Sequence, residues 1–585
     1  MTLRIGNCSG FYGDRLTAMR EMLEGGPLDY LTGDYLAELT MLILGRDVMK
    51  DESLGYAKTF VKQMTDCMAL AKEQGVKIVA NAGGLNTASL AAKLKDIAAE
   101  QGLDVNIAYV EGDDLRDRAE DLGWQGAITA NAYLGAFGIA EALNAGADIV
   151  VTGRVTDASV VIGPAIAHYG WGREDFDALA SAVVAGHIVE CGTQACGGNF
   201  AGFRTLMASG DFEKPLGFPI AEIDADGSFV ITKHAGTGGA VTVDTVTAQL
   251  VYEIQGEQYL NPDVTTHFST IELAQEGPDR VRVSGVKGSP PPMTTKVCLN
   301  FFGGFRNDAE LLITGLDQDE KVALLKAQVE QSLQVKAAAG LDLPKVEWTF
   351  NRSDVEDPDT QEAGTSILRV HAESTAPEPV GREFSNIVIE LALASLPGFM
   401  ASSSPPSPGR AFGFYKPAYL PQADVPHVVV LADGSHIDIS PPTNTVEKPD
   451  AIAVELPDEV PQRPDTEHAP LGLVAYARSG DKGGDANVGL WIPANAPHRD
   501  AAIAWLIGLL TPERIKELLP ETADLGVEVY ALPNLGGLNI LVRGILGQGV
   551  AASDRLDPQA KALGEWLRAR HVDIPAQFLK GEFLA

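Results

Sequence analysis

His187-Ile-Val-Glu190 sets an imidazole and a carboxylate three residues apart, on one face of a predicted helix, with Cys191 beside them. Such a pair suits proton transfer, and it also suits two ligands of a metal. A metal site needs a further ligand, and the ten histidines include no H-x-x-x-H pair. Arg478-Ser-Gly-Asp-Lys-Gly-Gly-Asp-Ala-Asn487 is the densest polar stretch of the chain. Arg478 and Lys482 beside flexible glycines could clamp a carboxylate or phosphate. The plain alternative is a tight turn with solvated charges. Four more loops, 6–15, 81–86, 111–114 and 152–157, are rich in Gly, Asn, Asp and Arg. They supply Asp14 and Asp157, which join Glu190 and His187 as expected catalytic groups. They also supply Arg15, Asn81, Gly83, Gly84, Asn86, Asp113 and Arg154, which join Asn131, Arg478 and Lys482 as expected substrate contacts. Arg15, Arg154 and His187 are the expected stabilisers of an anion. Gly, Asn and Asp are equally what turns and helix caps require. No metal ligand is assigned.

Gly6-x3-Gly10-x2-Gly13 follows a predicted strand but lacks the G-x-G-x-x-G spacing, and the acidic residue expected at the end of a second strand about 20 residues on has no clear candidate. That disfavours a nicotinamide site. No G-x-x-x-x-G-K-[ST] loop occurs, which disfavours nucleotide hydrolysis.

The elements that must position these residues alternate over 1–170. Strands are predicted at 3–5, 76–80, 105–110 and 147–152. Helices are predicted from Leu16, from a Thr87 N-cap, over 131–144 and over 158–168. Strand–loop–helix repeats of this length imply a Rossmann-like parallel sheet, whose ligands bind beyond the carboxyl ends of the strands. Residues 171–455 read as an α+β extension, with a helix near 177–191 and strands that include 241–252 and 296–300. Helices follow at 319–339 and 384–395, then a Pro/Ser/Gly-rich loop within 397–427. The core is thus 1–455, and 456–470 is a Pro-rich acidic linker. Residues 471–585 form a small domain in β-β-α-β-β-α order, with a strand at 471–477, a loop at 478–485 and one helix over 501–519.

Lys plus Arg is 45 and Asp plus Glu is 79, a net charge of −34. The last 115 residues carry 11 basic and 13 acidic side chains, so almost all the excess lies before residue 471. Such a chain repels phosphodiester backbones, and no basic patch offsets this, so nucleic acid is excluded as a partner. The five cysteines do not describe a disulfide scaffold. Apolar windows are too short to span a bilayer, and no basic head precedes a signal-length apolar run. A cytoplasmic protein without membrane partner is expected, acting as a homo-oligomer.

Several long motifs carry a resemblance. They include Leu28-Asp-Tyr-Leu-Thr-Gly-Asp-Tyr-Leu-Ala-Glu-Leu-Thr-Met41, Asn81-Ala-Gly-Gly84, Asn131-Ala-Tyr-Leu-Gly-Ala136, Ala147-Asp-Ile-Val-Val-Thr-Gly-Arg-Val-Thr-Asp-Ala158 and Gly186-His-Ile-Val-Glu-Cys-Gly192. Together they resemble the acyclic terpene utilisation AtuA family. Arg478 to Gly484 and Leu532-Pro-Asn-Leu-Gly-Gly-Leu-Asn539 are similar to the ferredoxin-like domain that follows the core in that family. Thr87, Thr156 and Cys196 depart from its usual Pro, Ala and Thr. The resemblance implies a role in catabolism of branched terpenoid acids handled as CoA thioesters, and brings no assigned catalytic residues with it. The expectation is a hydro-lyase or lyase acting on a branched acyl-CoA or related carboxylate, without a redox cofactor. The alternatives are a non-enzymatic assembly or ligand-binding subunit and an NAD(P)-dependent oxidoreductase.

Overall fold

The computed structural model describes residues 2–402, 408–456 and 465–579. Much of the predicted 456–470 linker, and residues 403–407 of the Pro/Ser-rich loop, lie outside them. The chain divides into two compact units, Met1–Asn300 with Tyr415–Ala585, and Phe301–Phe414. The sequence reading places no boundary at 300 or 414.

The first unit is built on short apolar strands. β1 (Leu3–Asn7), β2 (Tyr30–Gly33), β3 (Lys77–Ala80), β4 (Ile107–Glu111) and β6 (Ile149–Thr152) lie in one sheet, while β5 (Ala127–Ala132) leaves it to pair with the strand that begins at Thr294. The sheet strands run parallel in the order β1-β2-β3-β6-β4. Antiparallel strands extend the sheet at both edges, with β7 (Pro219–Ile223) and β8 (Phe229–Lys233) beyond β1 and Val428–Val430 beyond β4. The order differs from the 3-2-1-4-5-6 of a Rossmann sheet. After β4 the chain returns, and β6 fills the gap between β3 and β4. The loop after β6 therefore stands where the path across the sheet reverses, the place at which α/β sheets leave a crevice.

Helices cover both faces. α1 (Ala18–Gly25), α3 (Lys58–Gln74) and α4 (Thr87–Glu100) bury Met19, Met22, Phe60, Met64, Leu90 and Leu94 on one side. α5 (Phe137–Asn144), α6 (Ser159–Tyr169) and α7 (Phe176–Val189) bury Ile139, Val161, Ile162, Val183, Val184 and Ile188 on the other. α2 (Glu38–Lys50) follows the loop after β2. α7 is apolar nearly all round because every residue from Leu179 to Val189 is buried.

Several predicted elements change. β2 is absent from the sequence reading, because its four residues run into the apolar stretch that becomes α2. The helix predicted from 131 begins at Phe137, since Asn131 belongs to β5. Asn86 rather than Thr87 caps α4, with Oδ1 accepting from the Ser89 N–H at 3.2 Å. The predicted strand 241–252 is a helix, Val243–Leu250. Its β-branched run reads as strand, but Thr242 and Thr245 close a reciprocal capping box.

In the C-terminal region four antiparallel strands lie in the order Tyr476–Lys482, Asp485–Trp491, Gly537–Val542 and Val527–Leu532. The predicted 478–485 loop is thus mostly strand, turning at Gly483 and Gly484. The predicted helix 501–519 is two, Arg499–Leu509 and Pro512–Leu518, because Thr511 caps a new start with Pro at its first position. Val488, Leu490, Ile503, Leu506, Ile540 and Leu563 fill this region's core. The second unit pairs Lys345–Asn351 with Thr365–Ser374 and packs helices Gln318–Ala338 and Arg382–Glu390 over Leu311, Leu325, Leu368 and Phe384. Among the described residues no helix is long and apolar enough to cross a membrane.

Candidate active site

The carboxyl ends of β2, β3, β4 and β6 each release a polar residue. Asp34 follows β2, and its Oδ1 accepts from Asn81 Nδ2 at 2.6 Å, the residue that follows β3. Asn81 Oδ1 in turn accepts from the Tyr35 N–H at 2.7 Å. Asp113, after β4, accepts from Asn131 Nδ2 at 2.8 Å and from the Arg154 N–H at 2.7 Å. A Cβ on Gly153 would lie 2.2 Å from Asp113 Oδ1, so only glycine lets this carboxyl reach the Arg154 backbone. Burial pushes Asp113 up to about 7.

Arg154 is 2% exposed. It donates to the Leu36 carbonyl at 2.8 Å and to Asp157 Oδ1 at 2.6 Å, and its guanidinium lies 4.3 Å from the Tyr133 ring centroid. Among the described residues its Nε has no hydrogen-bond partner. Burial and the Asp157 charge together hold the Asp34 carboxyl well above the usual range, against the pull of Arg154.

α7 brings the histidine pair to the same place. Asn7, at the end of β1, donates to the Val189 carbonyl at 2.7 Å and to the Glu190 carbonyl at 3.2 Å, which ties the end of α7 to the sheet. His187 Nδ1 and Glu190 Oε1 are 3.1 Å apart. Glu190 is 6% exposed, and its Oε2 makes no hydrogen bond among the described residues. Burial, then the charges of Asp157 and Glu253, hold the Glu190 carboxyl well above the usual range, which favours its protonated form. Burial, then the Lys482 charge, lowers His187 to about 4. That favours the neutral imidazole at pH 7, which can still donate one N–H to an anion. Its ring rests against Tyr259, 5.1 Å between centroids.

The C-terminal strands supply the remaining charges. Lys482 Nζ stands 5.8 Å from the Tyr259 ring centroid and, among the described residues, forms no ion pair. Asp481 beside it is raised to about 7 by burial and by Glu253, with Lys561 Nζ 3.6 Å away. Lys561 also bonds the Tyr252 hydroxyl and approaches Glu253 Oε1 at 3.4 Å. Next to Arg154, Glu38 Oε1 accepts from Lys296 Nζ at 3.0 Å and from the Tyr133 hydroxyl at 2.9 Å. Burial opposes the Glu38 charge, but Lys296 and Arg154 outweigh it and hold the carboxyl well below the usual range.

The structure thus brings together Asn81, Asp113, Asn131, Arg154, Asp157, His187, Glu190 and Lys482 of the expected residues. Others have different positions. Asp14 closes its own turn, accepting from the Gly10 and Arg15 N–H groups at 3.0 and 2.9 Å. Arg15 pairs with Glu21 at 2.6 Å and donates to the Leu216 carbonyl. Asn86 caps α4 and donates to the Glu52 and Leu54 carbonyls. Gly83 packs under Thr152 and Thr87, and Gly84 packs against Gly55 and Leu44. Arg478 holds the C-terminal strands to the core, bonding Gln194 and the Asn199 carbonyl and covering the Tyr252 ring at 4.3 Å. A Cβ on Gly10 would meet the Cys191 backbone at 2.6 Å, so this glycine serves contact within the chain, not room for a pyrophosphate. Asp34, Glu38, Glu253, Lys296 and Asp481 were not among the expected residues. Asp34 and Glu38 lie inside the Leu28–Met41 motif and Asp481 inside the Arg478–Asn487 stretch, while Glu253 and Lys296 carry no local signal.

Among the described residues, no group of three or more His, Cys, Asp or Glu side chains is arranged to hold a metal ion. A mixed α/β core with a polar cluster at the carboxyl edge of its parallel strands, completed by an appended antiparallel sheet, defines the class. Residues 3–431 match the acyclic terpene utilisation family protein AtuA, and residues 469–573 match the AtuA ferredoxin-like domain. The chain belongs to the acyclic terpene utilisation AtuA family. A comparison with curated proteins gave no match.

Proposed function

We propose that the protein is a hydro-lyase of acyclic terpene utilisation that removes water from, or adds it to, a branched acyl-CoA or related carboxylate. One observation carries the reading. Lys482, a cation without an ion pair among the described residues, and the His187–Glu190 pair, whose Glu190 Oε2 makes no hydrogen bond there, meet at the same Tyr259 ring. The ammonium would bind the carbonyl or carboxylate oxygen, where negative charge grows as the α-proton leaves. Protonated Glu190 would give its proton to the departing β-hydroxyl, which leaves as water. A second carboxylate would take the α-proton, and the C–H electron pair becomes the new C=C bond. Asp34 and Asn81 would order the site, while Arg154 would hold Asp157 and add positive charge nearby. This chemistry calls for no redox cofactor.

The test is incubation of the full chain in D2O with a panel of branched 3-hydroxyacyl-CoA and 2-enoyl-CoA thioesters, followed by mass spectrometry. Loss or gain of one water, with deuterium entering at the α-carbon, is expected. Lys482→Ala should lower that rate by about 100-fold or more. Absence of both changes across the panel overturns the reading.

A further inference from the structure

Glu253 has a backbone that nothing in its side-chain type favours. Its φ is 56°, in the left-handed region, three residues beyond the helix Val243–Leu250. Helices commonly pass through that region on glycine, which pays no Cβ penalty there. A glutamate kept in it has a conformational cost, and such costs gather at working sites.

The C-terminal sheet holds the residue there. The Glu253 N–H donates to Asn487 Oδ1 at 2.8 Å, and Asn487 Nδ2 donates to the Val251 carbonyl at 2.7 Å. Asn487 is fully buried and also bonds Asn539 Oδ1. On the same strand, a Cβ at Gly489 would lie 2.3 Å from Val251, so the strand and the 251–253 segment are in close contact.

The Glu253 carboxylate faces the polar cluster. Its charge acts on His187, Glu190 and Asp481, and Lys561 Nζ lies 3.4 Å from its Oε1. The side chain is 30% exposed, so it can exchange a proton with water. Asp157, the other open carboxylate of the cluster, is bound to the Arg154 guanidinium at 2.6 Å. That contact occupies the Asp157 oxygen and fixes its direction, whereas the Glu253 carboxylate meets its cation only at 3.4 Å.

Resting on the reading above, we infer that Glu253 is the base of the site and that Asn487 is a positioning residue that acts through the Glu253 backbone. Glu253 takes the substrate α-proton and the C–H pair forms the C=C bond. The C–O bond breaks and oxygen leaves as water with the proton from Glu190. Glu253 then returns its proton to solvent, and Glu190 regains one.

Glycine at 253 separates function from folding. Glu253→Gly in the full chain should raise Tm by a few degrees, because the left-handed backbone is then unstrained. It should also cut α-deuterium exchange into 3-hydroxy-3-methylbutanoyl-CoA, used as probe, by about 100-fold or more. Glu253→Gln, which keeps the shape, should show the same loss. Asn487→Ala should lower kcat with little change in KM, and should cost no further activity in the Glu253→Gly background. A Tm that falls in Glu253→Gly, or exchange retained in either Glu253 variant, overturns the inference and leaves the hydro-lyase reading standing. A wild-type chain inert towards the whole thioester panel overturns both.

Discussion

Arg154 shows how little freedom a buried charge has. Its guanidinium is 2% exposed and meets Asp157, the Leu36 carbonyl and the Tyr133 face. Truncating it leaves Asp157 without its cation and removes the charge that, with the Asn81 hydrogen bond, opposes the rise of Asp34. Asp157 is 28% exposed, so water takes up part of the stranded charge and the cost lies below the ~3–5 kcal/mol of a fully buried pair. Arg154→Ala is therefore expected to lower the denaturant midpoint markedly. In Arg154→Ala/Asp157→Ala the loss should be smaller than the sum of the two single changes, because the second change removes the stranded charge. Chemical denaturation of the four proteins measures this. Equal, additive losses would show that the pair does not couple.

At the scale of an element, the loop after β4 is a clamp on the loop after β6. Asp113 makes the clamp through the Arg154 N–H, and Gly153 makes room for it. Its carboxyl is raised to about 7, whereas in the unfolded chain it returns to the ordinary carboxylate range. The folded protein thus binds the proton more tightly between roughly pH 4 and 7. The contribution of this group to stability is full below about pH 4 and is lost as pH rises through about 7. Relative to Asp113→Asn, the wild-type Tm should fall as pH is raised across that window. Parallel Tm curves for the two proteins would show that Asp113 is not the titrating group.

Over the whole molecule the charge is uneven. Of the net −34, −2 belongs to residues 471–585, yet that region supplies Lys482 and Lys561. An anionic substrate must cross a repulsive field before it meets these cations. Salt shortens the reach of that field, from about 30 Å at 0.01 M to about 8 Å at 0.15 M. For an anionic thioester, kcat/KM should therefore rise over this range of ionic strength, the reverse of an enzyme that steers its substrate. Stopped-flow or initial-rate measurements at low substrate concentration test it, and a steady fall with salt would contradict it.

The sequence by itself determined the parts that depend on near neighbours. The i, i+3 spacing of His187 and Glu190 appears as a 3.1 Å contact, and the loops after β3, β4 and β6 carry the polar residues expected of them. The basic stretch at Arg478–Lys482 does reach the core, although as strand and not as loop. Turn and cap residues share the composition of ligand loops, as where Asp14 closes its own turn and Asn86 caps α4. Only the tertiary structure decided which of these residues meet. β2 was hidden in an apolar run, so Asp34 had no predicted place, and the sheet order followed from how β6 returns between β3 and β4. Glu38 and Lys296 are 258 residues apart, and Glu253 and Asn487 are 234 apart. No local period encodes such pairs. They form because burying both faces of the sheet and docking the C-terminal strands fix where distant backbone segments lie, and the charges then settle against whatever partners that packing leaves them.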